Sequence, residues 1–123
     1  EATRRSYAAA IDFRASPDFA VGDTERALQV YRIVQEALTN ALRHSGSARV
    51  EVRLYQSGPP PERVLVAEVS DRGRGIPPSV PADHMGLRIM RYRAERAGAE
   101  LRIEPLQPGT RVSCLIRAPE KGP

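Results

Sequence analysis

The sequence predicts an α+β two-layer sandwich, in which a mixed, mostly antiparallel sheet carries helices packed on one face. The predicted elements follow the order strand, helix, two strands, glycine-rich loop, helix, two strands, so the strict alternation of a doubly wound fold is absent. Short turns join neighbouring strands, which favours antiparallel pairing. The 123 residues are enough for one compact core, and we expect a single domain over 1–123.

The composition restricts the possible functions. There are 19 lysines and arginines against 15 aspartates and glutamates, and this net charge of +4 favours an anionic ligand such as a nucleotide, a nucleic acid or a lipid head group. The lone cysteine, Cys114, excludes an internal disulfide, and its unpaired thiol is typical of a reducing compartment. Since the chain begins with Glu1 and contains no membrane-length apolar run, we expect a cytoplasmic domain from a longer parent, which could itself be membrane-anchored.

The first half of the chain is predicted to form an edge strand at 8–15, a long helix and a strand at 49–55. Asp23 or Thr24 can cap the helix, which should end at about residue 44. Apolar residues recur along it at helical spacing, at Ala27, Val30, Tyr31, Val34, Leu38, Ala41 and Leu42.

In the second half we predict strands at 64–70, 101–104 and 111–117, a loop at 71–81 and a helix at 86–97. The strand at 64–70 is apolar at almost every position, which predicts a central place in the sheet. Gly98 is expected to close the helix before it.

The first motif that could carry chemistry lies on the long helix. Glu36 and Asn40 are four residues apart, so they lie roughly 40° apart around the helix and share a stripe. A carboxylate and a carboxamide beside an apolar face supply the oxygen ligands that Mg²⁺ prefers. The same pattern is also typical of a solvated polar stripe, and this motif alone leaves both interpretations open.

The second motif follows the apolar strand. Asp71 is followed by Gly73 and Gly75, which places a hydrogen-bond acceptor where the backbone can approach a flat ligand closely. A carboxylate accepts from an exocyclic amino group such as that of adenine. The pattern is not a Walker loop, because the Gly-Lys-Ser/Thr ending is absent, and by itself it is equally typical of a turn or a calcium loop.

Two further motifs stand at element boundaries. Gly86 and Leu87 lie where a loop enters the second helix, and free amides at a helix N-terminus bind phosphate, although Gly86 could also be a simple N-cap. Gly109 and Thr110 enter the last strand, where threonine is also favoured on conformational grounds alone.

In this combination and order the four motifs resemble those of the GHKL ATPase superfamily. They match as ExxxN, DxGxG, GL and GT, and the resemblance covers roughly residues 8–119. The stretches EALTNALRHS (36–45) and GLRIMRYRAERAGAELRI (86–103) are similar to the sensor histidine kinases that include nitrate sensors and membrane thermosensors.

This resemblance implies a Bergerat-type ATP-binding fold and a histidine kinase function. The domain would bind ATP with Mg²⁺, release ADP, and donate the γ-phosphoryl group to a histidine on a separate dimerisation domain, upstream of a response regulator. Neither His44 nor His84 is expected to be the acceptor, so the fragment alone should not autophosphorylate.

The resemblance also implies roles for particular residues. Asn40 would ligate Mg²⁺, and Glu36 would act beside it in catalysis by orienting water or polarising the acceptor. Arg43 and Gly86 would bind phosphate, with Leu87 beside Gly86, and His44 would flank the sugar or base. Asp71 would bind adenine directly, and Thr110 would bind it through a water. Gly73 and Gly75 would form the hinge of the lid.

Two alternatives remain. An anti-sigma-factor serine kinase shares the fold and the size. A non-enzymatic nucleic-acid module could use Arg88, Arg91, Arg93 and Arg96. Those four arginines spread around the helix without an aromatic platform, so we expect no nucleic-acid partner.

Overall fold

The computed structural model describes residues 10–17, 19–44, 49–59, 61–73 and 85–117. Within these ranges the chain forms five strands and two helices. In chain order they are β1 (Ala10–Ala15), α1 (Thr24–His44), β2 (Arg49–Ser57), β3 (Val64–Asp71), α2 (Met85–Ala97), β4 (Glu100–Pro105) and β5 (Thr110–Arg117). The predicted strands and helices are therefore all present, and their described boundaries differ from the predicted ones by at most two residues. Asp71, predicted to begin the loop, is the last residue of β3, and the predicted loop after Gly73 lies outside the described residues.

The five strands form one sheet in the order β1-β2-β3-β5-β4. β1 pairs with β2 in parallel, and the other three pairings are antiparallel, which confirms the mixed and mostly antiparallel sheet. The apolar strand β3 lies at the centre, and β1 lies at an edge, as predicted.

Both helices pack in a single layer that completes the two-layer sandwich. α1 contacts β2, β3 and β5, while α2 contacts α1 and β4. The largest fully buried side chains of the core are Ile33, Leu65, Met90, Val50, Val52 and Cys114. Burial raises the pKa of the Cys114 thiol to about 11, so this cysteine is a packing residue. Neither helix in the described ranges combines the length and apolarity needed to cross a membrane.

Local interactions fix where α1 begins and which face it buries. The Asp23 carboxylate accepts a hydrogen bond from the Arg26 amide at 3.0 Å, so Asp23, of the two predicted candidates, is the N-cap. Val30 and Ile33 are buried, but Tyr31 is 60% exposed. The prediction that Tyr31 belongs to the apolar face was wrong, because it lies about 100° around the helix from Val30 and away from the sheet.

The second helix ends at a glycine, as predicted. Gly98 has a φ of +65°, and the Ala99 amide donates to the Ala94 carbonyl at 2.8 Å. A left-handed residue of this kind terminates a helix while satisfying carbonyls of its last turn.

The sheet face opposite the helices buries polar side chains as well as the apolar Val66. Glu68 on the central strand is only 8% exposed and accepts the Tyr55 hydroxyl at 2.7 Å, with an Arg53 guanidinium nitrogen 3.8 Å away. Burial and the Glu68 hydrogen bond raise the pKa of Tyr55, so its hydroxyl stays protonated and donates. The buried carboxylate on this face is therefore hydrogen-bonded, as buried polar groups usually are.

Candidate functional site

The topology brings four chain segments to one end of the sheet. Val50, near the start of β2, pairs with Asp71 at the end of β3, and Asp71 pairs with Thr110 at the start of β5. α1 ends at His44, only five residues before β2 begins at Arg49. The ends of α1 and β3 and the beginnings of β2 and β5 therefore lie at the same edge of the domain.

The beginning of α2 joins this edge through Gly86. A Cβ atom placed on Gly86 would lie 3.0 Å from Glu36 Oε2 and 3.2 Å from Asn40 Nδ2. Gly86 is buried, whereas Glu36 and Asn40 are partly exposed. Since only glycine permits this approach without displacing a side chain, the structure brings three predicted site residues into contact.

Leu87, the next predicted site residue, faces the core. It is 8% exposed and belongs to the hydrophobic cluster that includes Ile33 and Met90. Its packing anchors the first turn of α2, and the direct contact with a cofactor stays a prediction.

Asp71 lies at the end of the central strand with its carboxylate almost fully buried. It is 6% exposed, and its Oδ1 accepts a hydrogen bond from the Gly73 amide at 2.9 Å. The Thr110 backbone amide also hydrogen-bonds to this carboxyl group. Burial raises the pKa of Asp71, and the two amides act in the opposite direction by stabilising the ionised form. A carboxylate offers about four lone-pair positions, so two remain for a ligand.

The position before Thr110 requires glycine for steric reasons. The φ of Gly109 is +107°, and a Cβ atom there would overlap the carbonyl oxygen of Asp71 and approach the Arg72 Cα to 2.8 Å. The turn between β4 and β5 therefore lies directly on the backbone of Asp71. Sequence reasoning found the Gly-Thr pair but not this steric requirement, which depends on the pairing of β3 with β5.

Of the other predicted site residues, the structure describes some and not others. Arg43 is exposed on the last turn of α1, seven residues after Glu36 and therefore on nearly the same stripe. His44 is the last residue of that helix, but its side chain lies outside the described residues. Gly75 and His84 also lie outside them.

Sequence reasoning missed one buried polar residue of α1. Gln29 is 6% exposed, and its side-chain oxygen accepts a hydrogen bond from Arg93 of α2 at 3.2 Å. Gln29 lies seven residues before Glu36, so the shared stripe was a signal that could have found it. Arg96 also turns toward α1, with a nitrogen 3.5 Å from Glu25 Oε1. Two of the four arginines proposed for a nucleic-acid face therefore interact with the neighbouring helix.

The oxygen donors of this edge fit a magnesium ion that completes its shell with ligand oxygens. Over the ranges that the structure describes, no three His, Cys, Asp or Glu side chains form a metal-binding group. Mg²⁺ bound with a nucleotide needs few protein ligands, because phosphates and waters supply the others. The Asn40 carboxamide oxygen is of the type that would ligate such an ion, with the Glu36 carboxylate nearby.

A separate groove of about 390 Å³ contains none of the predicted site residues. It lies beside the paired strands β1 and β2 and is lined by Arg14, Ala15, Ser16, Glu51, Arg53, Leu54 and Tyr55. Its charged residues are two arginines and one glutamate, and none of the four motifs reaches it.

The fold and this site together define a class of protein. A two-layer sandwich whose ExxxN helix faces a glycine at the start of a second helix, beside a buried aspartate at a strand end, is an ATPase domain of the GHKL type. Residues 25–120 match the family described as histidine kinase-, DNA gyrase B- and HSP90-like ATPases, and the chain belongs to this family.

The similar curated proteins are sensor kinases. The nitrate/nitrite sensor protein NarQ of Escherichia coli (strain K12) is 34% identical over 100 residues, which is 80% of this chain and 17% of NarQ. The nitrate/nitrite sensor protein NarX of the same organism is 29% identical over 126 residues, 98% of this chain and 20% of NarX. The chain thus spans a fifth or less of the length of these relatives.

Solved structures agree with the family. The histidine kinase domain of a blue-light activated histidine kinase from Erythrobacter litoralis EL346 superposes with a TM-score of 0.72 and 32% identity, over 94% of this chain and 59% of that one. The ATP-binding domain of PrrB from Mycobacterium tuberculosis gives a TM-score of 0.74 at 20% identity, over 97% of this chain and 87% of that one, which supports the fold alone. The chain is therefore an ATPase domain of the histidine kinase type, as found in two-component sensor kinases.

Proposed function

We propose that this domain binds Mg²⁺–ATP at the edge formed by α1, α2 and the end of β3, and that it donates the γ-phosphoryl group to a histidine on a separate dimerisation domain. A response regulator would then receive the phosphoryl group from that histidine. The observation that supports the proposal best is the contact of Gly86, at the start of α2, with Glu36 and Asn40. This contact supports the proposal because it brings the start of a helix, which would bind phosphate, next to the side chains that would hold Mg²⁺.

Phosphate binding is assigned to the first turn of α2 and to Arg43. The first amides of a helix have no intrahelical partner and carry the positive end of the helix dipole, so they attract anions. Gly86 is buried against Glu36 and Asn40 but has no side chain that would keep a phosphate from these amides. The exposed guanidinium of Arg43 lies on the neighbouring stripe of α1 and would neutralise further phosphate charge.

Magnesium supplies charge neutralisation across the phosphates and lowers the barrier to γ-phosphoryl transfer. The Asn40 carboxamide oxygen is its proposed protein ligand. The Glu36 carboxylate lies close to the same glycine, and in this proposal it would orient a water or accept the proton of the attacking imidazole. One imidazole nitrogen attacks the γ-phosphorus, the bond to the bridging oxygen breaks, and ADP leaves.

The adenine base is assigned to the end of β3. The Asp71 carboxylate has lone pairs free after bonding the amides of Gly73 and Thr110, and these would accept from the adenine amino group. The Thr110 hydroxyl would support the base through a water, Gly75 would act with Gly73 at the hinge, and Leu87 and His44 would flank the nucleotide. Since ATP and response regulators occur in the cytoplasm, we also place the domain there.

The substitution Asn40→Asp tests the metal role. It keeps the size of the side chain but adds a negative charge beside the phosphates and removes a hydrogen-bond donor. We expect transfer from ATP to a supplied histidine phosphoacceptor domain to fall by at least about a hundredfold, as for other losses of phosphate and metal positioning. Adenosine binding, measured by ligand-observed NMR, should change less than about twofold.

Gln35→Glu is the matched control for Asn40→Asp. It adds the same charge to the same helix, but at an exposed position on the side away from α2. Its transfer rate should stay near that of the wild type. Equal rates for Asn40→Asp and the wild type would show that Asn40 is not a metal ligand.

A further inference from the structure

The contacts between α1 and α2 run in antiparallel order along the whole of α2. Going along α2 from its beginning, the paired residues are Gly86 with Glu36 and Asn40, Arg93 with Gln29, Arg96 with Glu25, and Ala97 with Arg26. The proposed phosphate site is thus one end of a continuous interface between the two helices.

In the middle of this interface the buried side chain of Gln29 forms a part-buried hydrogen bond with Arg93. Gln29 is 6% exposed, its oxygen accepts from Arg93 Nη1 at 3.2 Å, and its amide nitrogen donates to Glu25 Oε1 at 3.2 Å. Both polar atoms of the carboxamide therefore have a partner. Ile33 and Met90, which are 1% and 0% exposed, lie between this bond and the Gly86 contact.

The far end of α2 is also bonded to α1. The Arg26 guanidinium donates to the Ala97 carbonyl at 2.8 Å, which satisfies one of the carbonyls left free at the end of a helix. Because a helix of this length is nearly rigid, this bond and the Gln29–Arg93 bond four residues earlier on α2 together hold the axial position of its first turn. Gly86 lies seven residues, or about 10 Å of helix, before Arg93.

A directional bond can fix the position of a helix where apolar packing cannot. Hydrophobic burial is roughly proportional to area and has little directional preference, so two apolar helix faces tolerate small shifts. A shift of α2 along α1 would leave the Gln29 oxygen buried without a donor, which is strongly unfavourable. Buried polar pairs are known to set helix register in this way.

We propose that the Gln29–Arg93 hydrogen bond is a positioning device that sets the first turn of α2 against Glu36 and Asn40, and thereby controls affinity for the phosphates of the nucleotide. Gln29 and Arg93 are positioning residues, because they act through Gly86 and do not touch the ligand. This inference rests on the proposed function. It assigns Arg93 a place in the interface rather than on a basic surface.

The test compares a ligand with phosphates and a ligand without them. In Arg93→Met and in Gln29→Met, the affinity for ADP with Mg²⁺ should fall by at least about fivefold, whereas affinity for adenosine should change less than about twofold. The reason is that Asp71, which accepts the base, lies on the sheet and is not displaced. The double variant should bind ADP no more weakly than the weaker-binding single variant, since each substitution removes the same hydrogen bond.

Three controls keep the result interpretable. Arg117→Met removes the same charge at an exposed site on the opposite end of the sheet, and should bind ADP and adenosine like the wild type. Arg93→Lys retains a charged donor and should recover part of the ADP affinity. Melting curves identify any variant that does not fold. If Arg93→Met does not fold, the ADP and adenosine affinities of Arg93→Lys and Gln29→Met are compared with those of the wild type instead.

Equal weakening of ADP and adenosine, or no weakening of either in both folded single variants, would overturn the positioning role. Additive losses in the double variant would also contradict it. Failure of the wild-type domain to bind any nucleotide would instead refute the proposed function, so the two failures are distinguishable.

Discussion

In the Gly86→Ala protein, phosphoryl transfer is expected to fall by at least about a hundredfold while the free energy of unfolding stays within about 1 kcal/mol of the wild type. A methyl group there would lie 3.0 Å from Glu36 Oε2 and 3.2 Å from Asn40 Nδ2, so these side chains must move. Both contacts are at the ends of flexible side chains, and Gly86 has no positive φ that alanine would strain. Alanine also favours a helix over glycine, which offsets the lost packing.

The measurement is transfer from ATP to a supplied phosphoacceptor domain, together with a melting curve. Glu95→Ala, which introduces alanine at an exposed position of the same helix, is the control and should transfer at the wild-type rate. Wild-type transfer by Gly86→Ala would show that the close approach of α2 to Glu36 and Asn40 plays no part in the reaction.

The second large effect is expected for Asp71→Asn, which should reduce ATP affinity by roughly ten- to a hundredfold, the value of one hydrogen bond to a charged group. The carboxylate can only accept, which matches the amino group of adenine and mismatches the carbonyl of guanine. Since an amide can present either oxygen or nitrogen, discrimination between ATP and GTP should fall as well.

The fold should tolerate Asp71→Asn. Burial raises the pKa of Asp71, which means that the folded protein disfavours the ionised carboxylate, and a neutral amide avoids that penalty. One of the amides of Gly73 and Thr110 loses its acceptor, which limits any gain. Dissociation constants for ATP and GTP and a melting curve provide the measurement, with Asp12→Asn on the edge strand β1 as the control. Unchanged affinity and selectivity would make Asp71 a turn residue only.

Most of the secondary structure could be predicted because it is determined locally. The helical spacing of Val30, Val34 and Leu38 and the Asp23 cap define α1, and the alternation at Val50 and Val52 defines β2. The mostly apolar segment 64–70 predicted the central strand correctly, since a strand that has a neighbouring strand on each side is buried along nearly its whole length.

The interface between the helices could not be predicted in the same way. Whether Arg93 contacts Gln29 depends on the axial offset between α2 and α1, and no local sequence pattern determines that offset. Tyr31 recurs at helical spacing with the buried residues of α1 but is 60% exposed, because spacing alone does not show how wide a stripe of the helix the sheet covers. The need for Gly109 likewise follows from a turn that packs on a strand nearly forty residues earlier in the chain.

The central claim is that ATP with Mg²⁺ binds where the end of α1, the end of β3 and the start of α2 meet. Amide hydrogen exchange with and without Mg²⁺–ATP at about 1 mM, the upper end of usual KM values, tests it most directly. We predict slower exchange at 36–43, 71–73 and 86–90, and unchanged exchange at 51–55 beside the separate groove. Slower exchange confined to 51–55, or no change anywhere, would contradict the claim.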